Sequence, residues 1–168
     1  MTTLEYLNAA SVDAFVAELG FAFEDSPWIA RSAASHRPFA DVDALHAAML
    51  AVVAAAPTEW QVALIAAHPD LAGRVARAGR LTAVSRSEQA SAGLHALAPD
   101  EVARFDADNA AYRARFGFPF VMAVKGKTKA EISAAFEHRL GNDAATEFGA
   151  ALGEIDRIAA LRLREILP

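Results

Sequence analysis

The sequence predicts an all-α fold: a single domain over residues 1–168, built as a bundle of about eight or nine unequal helices. Three observations carry that expectation. The 168 residues are 54% hydrophobic and 22% charged, a globular composition, and much of the apolar share is alanine, the strongest helix former. Capping residues, prolines and glycines divide the chain into runs with helical spacing. No strand-turn-strand pattern and no repeat at a fixed period interrupts that organisation.

The elements follow in order. Thr2 with Glu5 has the S/T-x-x-E spacing of a capping box, and Ser11 opens a segment from Val12 to Leu19 that Gly20 closes. Ser26 stands before Pro27, a proline at the first helical position, and starts a helix through about Ala34. Asp41 caps a long run to about Ala56. Pro57-Thr58-Glu59 begins the next, which ends at His68 because Pro69 pushes the residue before it out of the α region. Asp70 caps a short turn from Leu71 to Arg77. Ser85, with Glu88 three residues on, forms another capping box leading into Gln89 to Leu97. Pro99 begins a helix that runs to Phe116 and stops at Gly117. The next stretch, FPFVMAVK (118–125), alone combines aromatic and β-branched residues between breakers, and it reads as an extended buried connection. Thr128 and Glu131 box the start of a helix to about Leu140, and Gly141-Asn142-Asp143 punctuates before a last helix from about 144 to 166.

Composition also excludes several classes. With no cysteine, disulfide scaffolds, thiolate metal sites and cysteine nucleophiles are ruled out. A formal charge of −5 argues against nucleic acid as a partner, so the positive contact of any anionic ligand must be local. The start, MTTLEYLNAASVDAF, has neither a basic n-region nor a signal-type apolar run, and RLREILP carries no receptor-read address, which makes a cytoplasmic location the simplest expectation. The longest apolar stretch, residues 44–57, contains His46, falls far short of a bilayer span and ends at Pro57, so it reads as a core helix with no membrane partner.

Four places could carry chemistry. On the last helix, at about 100° per residue, Phe148, Leu152, Ile155, Ala159 and Ile166 share a stripe that also contains Arg162, whereas Arg157 and Arg164 point the opposite way. A guanidinium costs too much to bury unpaired, so Arg162 must meet a carboxylate, either of the protein in a buried ion pair or of a ligand. His68 projects from a rigid corner and titrates near neutrality, which suits proton transfer; the plainer alternative is a histidine at a helix C-terminus interacting with the macrodipole. His36, His46, His95 and His138 lack comparable local constraint, and no two histidines have the i, i+4 spacing of a zinc helix site, so no metal is predicted. Glu88 either reaches back to the Ser85 amide as ordinary capping or, with Gln89 and the helix-end amides, orients a histidine and binds a ligand. The run Phe116 to Met122 is either core packing around a chain reversal or buried irregular backbone whose amides and carbonyls a flat heterocycle would satisfy.

Taken in order, the blocks SPWIA (26–30), RPF (37–39), HPDLAG (68–73), S-x-x-EQ-x-x-AGL (85–94), N-x-x-Y-x-x-RFGFPF (109–120), VKGKTKAEI (124–132) and ALGEIDRIAALRL (151–163) resemble the family of 2-oxo-4-hydroxy-4-carboxy-5-ureidoimidazoline (OHCU) decarboxylases. The likeness runs from about residue 4 to residue 166. It implies an all-α, typically homodimeric enzyme of urate degradation that needs no cofactor and converts OHCU, a small anionic ureidoimidazoline, to (S)-allantoin. The family's site positions fall here on His68 and Glu88 as catalytic groups. For substrate binding they fall on Pro69, on Ser85, Arg86, Ser87, Glu88 and Gln89, on Phe120, Val121, Met122, Ala123 and Val124, and on Arg162. Departures from the family pattern, Asp25, Arg31 and His95, lie outside those positions.

The resemblance implies a mechanism. Arg162 would bind the substrate through charge-assisted hydrogen bonds, with Ser85, Gln89 and the backbone of 120–124 holding the ring and ureido arm. His68, oriented by or cooperating with Glu88, would manage the hydroxyl proton and deliver a proton to carbon from one fixed face, giving a single enantiomer. Two other readings stay open at this point: a different hydrolase or lyase acting on a related ureide, and a non-enzymatic helical ligand-binding module.

Overall fold

The structure, a computed structural model, describes residues 2–73 and 81–167. Among these residues it is entirely helical, with nine α-helices, two short 3₁₀ turns and no strand. No single helix among them is long and apolar enough to cross a membrane. The chain forms two compact units, one made of the residues up to Ala67 and from Ile155 onward, the other of His68 to Glu154.

The first unit holds α1 (Leu4–Ala9), α2 (Val12–Leu19), α3 (Pro27–Ala33), α4 (Val42–Ala55), α5 (Thr58–Ala67) and the later part of α9 (Ala144–Ile166). Its caps are mostly the expected ones: Ser11 accepts from Ala14 N–H at 3.2 Å and Asp41 from Ala44 N–H at 2.7 Å. The first cap is different. Thr3, not Thr2, accepts the amide of Tyr6, while the Thr2 hydroxyl is drawn away to Glu18 at 2.6 Å. Phe15, Leu19, Ile29, Leu45, Met49, Leu64 and Ile65 are fully buried here, each contributing roughly 1.5–3 kcal/mol through the area it removes from water. The RPF block also has a physical role. Arg37 donates to the carbonyls of Leu7, Ala10 and Ala34, closing helix ends that lack partners of their own, and Asn8 grips Phe39 through both its amide groups at 2.8 and 2.9 Å.

The second unit holds α6 (Ala83–Ser91), α7 (Pro99–Phe116), α8 (Lys129–Leu140) and the start of α9. Its centre is aromatic. Phe120 stacks on Phe136 with ring centroids 3.8 Å apart, and Tyr112 meets both rings edge-on at 5.2 and 6.3 Å. Helix α7 ends where expected, with Gly117 at φ 80° donating its amide to Arg113 carbonyl at 2.9 Å. Helix α8 opens on the expected reciprocal box, Thr128 accepting from Glu131 N–H and Glu131 from Thr128 N–H. Residues 118–124 run between them as irregular chain, with Phe118, Phe120, Val121 and Val124 buried. The turn expected over Leu71 to Arg77 is described only to Gly73; its later part lies outside the described residues.

Candidate active site

Helix α5 stops at Ala67, and His68 follows it, held by Pro69 and 5% exposed. What comes next is fixed residue by residue. Asp70 accepts from Arg113 Nε of α7 at 2.9 Å. The Leu71 carbonyl accepts from Asn109 Nδ2 of α7 at 2.9 Å, and the Ala72 amide donates to Gln89 Oε1 of α6 at 3.0 Å. These last two groups belong to one peptide unit, so two amide side chains from different helices clamp it from its opposite ends. The clamp holds Ala72 at φ 53°, a left-handed conformation that costs a non-glycine residue roughly 1–2 kcal/mol. Gly73 completes the corner because a Cβ there would lie 2.7 Å from Asp70 Cβ. HPDLAG is thus a rigid corner behind a buried histidine.

Helix α6 carries the next group, but not as a capping box at Ser85. Thr82 is the cap, its side chain accepting from Ser85 N–H at 3.2 Å, so Ser85 lies inside the first turn. The earlier start wins because it turns Ser85 and Gln89, at i and i+4, to the buried side, 4% and 6% exposed, with Glu88 half-buried beside them. Helix-end amides are therefore not offered at Ser85. The helix also ends earlier than expected, at Ser91 rather than Leu97, because the chain turns through Gly93 at φ 75°. Arg86 and Ser87 lie on the exposed side, Arg86 Nη2 donating to the Leu81 carbonyl at 3.2 Å. Of the α6 residues, Gln89 is tied directly to the His68 corner through Ala72.

The Phe120 to Val124 stretch is held by its own network. Arg139 of α8 donates from Nη1 to the Val121 carbonyl at 2.6 Å, and the Ala123 amide donates to Glu154 Oε2 of α9 at 2.9 Å. The Val124 carbonyl accepts from Lys127 N–H at 2.9 Å. Backbone that looked unpaired in the sequence is partly satisfied by the protein. Arg139 is itself neutralised by the fully buried Glu147, whose Oε1 accepts from Nε at 2.6 Å and whose Oε2 accepts from Asn142 Nδ2 at 2.8 Å. The Tyr112 hydroxyl also donates to Glu147. Burial and then that carboxylate push the Tyr112 hydroxyl well above the usual phenol range. None of Tyr112, Arg139 and Glu147 stands out as a site residue in the sequence. The one available signal was positional: Glu147 shares the α9 stripe of Ala151, Ile155 and Ala159. That buried stripe is centred one residue away from the expected one, since Phe148, Leu152 and Ile166 are only half-buried.

Arg162 lies in the other compact unit and is 2% exposed, while Arg157 and Arg164 are exposed. The carboxylate it required is supplied by the protein: Nη2 donates to Glu24 Oε2 at 3.0 Å, and Nη1 to the Phe21 carbonyl at 3.0 Å. Glu24 is 4% exposed, so this is a buried, charge-balanced pair. His46 of the same unit is more constrained than its sequence suggested, with Nε2 2.9 Å from Asp156 Oδ1.

Known proteins share this sequence pattern and this fold. The sequence profile described as OHCU decarboxylase matches residues 8–164. A 2-oxo-4-hydroxy-4-carboxy-5-ureidoimidazoline decarboxylase of Haloferax volcanii is 45% identical over 163 residues, covering 97% of this chain and 95% of the relative. One of Halalkalicoccus jeotgali is 43% identical, over 98% of this chain and 91% of its own length. Among solved structures, an (S)-allantoin synthase superposes with a TM-score of 0.80 at 28% identity, covering 99% of this chain and 54% of that one. The fold is also that of an OHCU decarboxylase crystallised in the presence of (S)-allantoin, with a TM-score of 0.72 at 20% identity over 89% of this chain and 96% of that one. The chain belongs to the OHCU decarboxylase family.

Proposed function

We propose that this enzyme is a carboxy-lyase that decarboxylates OHCU to (S)-allantoin in urate breakdown without a cofactor. The observation that carries the reading is the His68 corner: a buried imidazole on a backbone clamped by α6 and α7, in a chain of this family. In OHCU the ring carbon that bears the hydroxyl and carboxylate adjoins the C=N carbon that bears the ureido group. When the bond to the carboxylate breaks, its electron pair enters that C=N system and CO₂ leaves, so the substrate is its own electron sink. The ring nitrogen that receives the pair takes up a proton, the resulting enol becomes a carbonyl by losing its hydroxyl proton, and the ureido-bearing carbon gains a proton. Net, one proton replaces CO₂.

His68 performs the proton movements, with Glu88 on the half-buried edge of α6 to set its charge and orientation. Ser85 and the Gln89 Nε2 group, together with peptide groups of Phe120, Val121, Met122, Ala123 and Val124, hold the ring and ureido arm. Arg162, its plane fixed by Glu24 and the Phe21 carbonyl, adds charge-assisted hydrogen bonds to substrate oxygen. Pro69 keeps the histidine facing one side, and a proton delivered to one side gives one enantiomer. Arg86 and Ser87 have exposed side chains, and the Arg86 amide is spent on the Thr82 carbonyl at 3.0 Å, so their part is to continue the helix that presents Ser85 and Gln89.

The test is to generate OHCU freshly from urate, add the protein, and follow CO₂ release together with the optical activity of the allantoin formed. Accelerated loss of OHCU to the (S) enantiomer is expected; racemate at the uncatalysed rate overturns the reading. We also read the two compact units as one domain, supported by a single family profile that spans both, acting in the cytoplasm as a homodimer. Sedimentation over a range of protein concentrations tests the dimer, and cell fractionation the compartment.

A further inference from the structure

The buried pair of Arg139 and Glu147 takes no part in the decarboxylation chemistry, yet it reaches the segment that does. Arg139 donates to the Val121 carbonyl at 2.6 Å, and its Cζ lies 4.3 Å from the Phe120 ring centroid. Two residues further on, the Ala123 amide is taken by Glu154 Oε2 at 2.9 Å. One carbonyl and one amide of the same short segment are therefore each tied to an ionised side chain, from α8 and from α9. Irregular backbone has no ladder to fix the direction of its peptide groups. Hydrogen bonds to charged partners, roughly twice as strong as neutral ones, can do so instead. Glu147 makes the arrangement rigid: it accepts from Arg139 Nε at 2.6 Å, and Asn142 and Tyr112 hold that carboxylate in turn. With the charge balanced inside the protein, the clamp does not need the substrate to complete it.

We propose that Arg139 and Glu154 are positioning residues for the reaction, which together set the direction of the peptide groups of Phe120 to Val124 that grip the ureidoimidazoline ring. The inference rests on the assignment of that segment to substrate binding. Because the Val121 carbonyl and the Ala123 amide are committed to side chains, recognition falls to the remaining peptide groups of the segment. A misplacement of about 1 Å in a positioned group costs on the order of 10²-fold in rate, so loss of either clamp is read in how substrate is held.

The experiment uses the full chain with Glu154→Ala, Glu154→Gln and Arg139→Lys, measuring KM and kcat for OHCU, enantiomeric purity of the allantoin, and Tm. Glu154 is half-buried; its alanine variant is expected to fold, to raise KM about tenfold and to lower enantiomeric purity. The glutamine variant retains an acceptor oxygen and is expected to return KM to within about threefold of wild type. Arg139→Lys keeps the charge but loses the planar fork and should shift KM in the same direction, by about 10-fold to 100-fold. A purely structural role would lower Tm and the active fraction while leaving KM and enantiomeric purity of the folded protein unchanged. That outcome in Glu154→Ala overturns the inference even if Arg139→Lys does not fold. A wild-type protein inert toward OHCU overturns the functional reading and the inference with it, whereas an active wild type beside unchanged variants overturns the inference alone.

Discussion

In its proposed role as proton carrier, His68 stands on ordered backbone: it is 5% exposed, and the Leu71–Ala72 peptide that follows it is clamped from two helices. Preorganisation of that kind lets a proton-transfer group act without first being ordered. His68→Gln preserves polarity and approximate size but removes the group able to take and give a proton, so kcat should fall by about 10² to 10⁴ while Tm stays close to wild type. CO₂ release and the optical activity of the product measure it, and near-normal stereospecific turnover by a folded variant would rule out the histidine as the proton carrier. Arg162 shows a different residue-scale logic. Its position on an inward stripe was visible in the helical period, but its partner Glu24, 138 residues away in sequence, was not. Since Glu24 already balances the charge, the proposed contact with substrate would rest on directed donors more than on net positive potential.

At the scale of elements, local chemistry decided what could be read in advance. Asp41, Thr128 with Glu131, and the Pro99 to Gly117 punctuation set the ends of α4, α8 and α7 because each signal acts within one turn of the residue that carries it. Thr82 and Ser85 are two competent caps three residues apart, and the tie is broken by burial of Ser85 and Gln89, which no local signal contains. The Arg139, Glu147 and Tyr112 network was illegible for the same reason: it joins three helices around a carbonyl of an irregular segment. Two glycines make the local logic testable with opposite signs. Gly117 sits at φ 80°, and a Cβ added there would meet nothing within 4 Å, so Gly117→Ala should destabilise by about 1–2 kcal/mol through backbone conformation alone. Gly149 is exposed inside α9, also with open space around it, and Gly149→Ala should stabilise by about 0.5–1 kcal/mol. Urea unfolding of the pair checks both; equal shifts of one sign would refute the assignment of the first to the left-handed cap.

Across the whole molecule, stability should fall at both ends of the pH scale for separate reasons. Glu101, Glu131 and Asp143 each accept backbone amides at the start of α7, α8 and α9, and those amides hold their carboxyls below the usual range. A carboxyl lowered in the folded state contributes stability that is present above its unfolded value, about 4, and is lost as pH falls through the folded value. Asp108 works the other way: burial raises its carboxyl, so its contribution is present at low pH and lost as pH rises. The alkaline side belongs to Tyr112. Burial first, and then the Glu147 carboxylate, raise its hydroxyl, so the folded protein keeps a proton that the unfolded chain releases above about pH 10. Where the unfolded state binds fewer protons, stability declines with pH. Urea unfolding of wild type and Tyr112→Phe between pH 9 and about 12 separates this group from lysines that titrate in the same range. Removing the hydroxyl changes the level of stability at every pH, so the slope is the informative quantity. The wild-type curve should descend more steeply than the variant's, and parallel curves would show that the buried hydroxyl is not what couples this fold to alkaline pH.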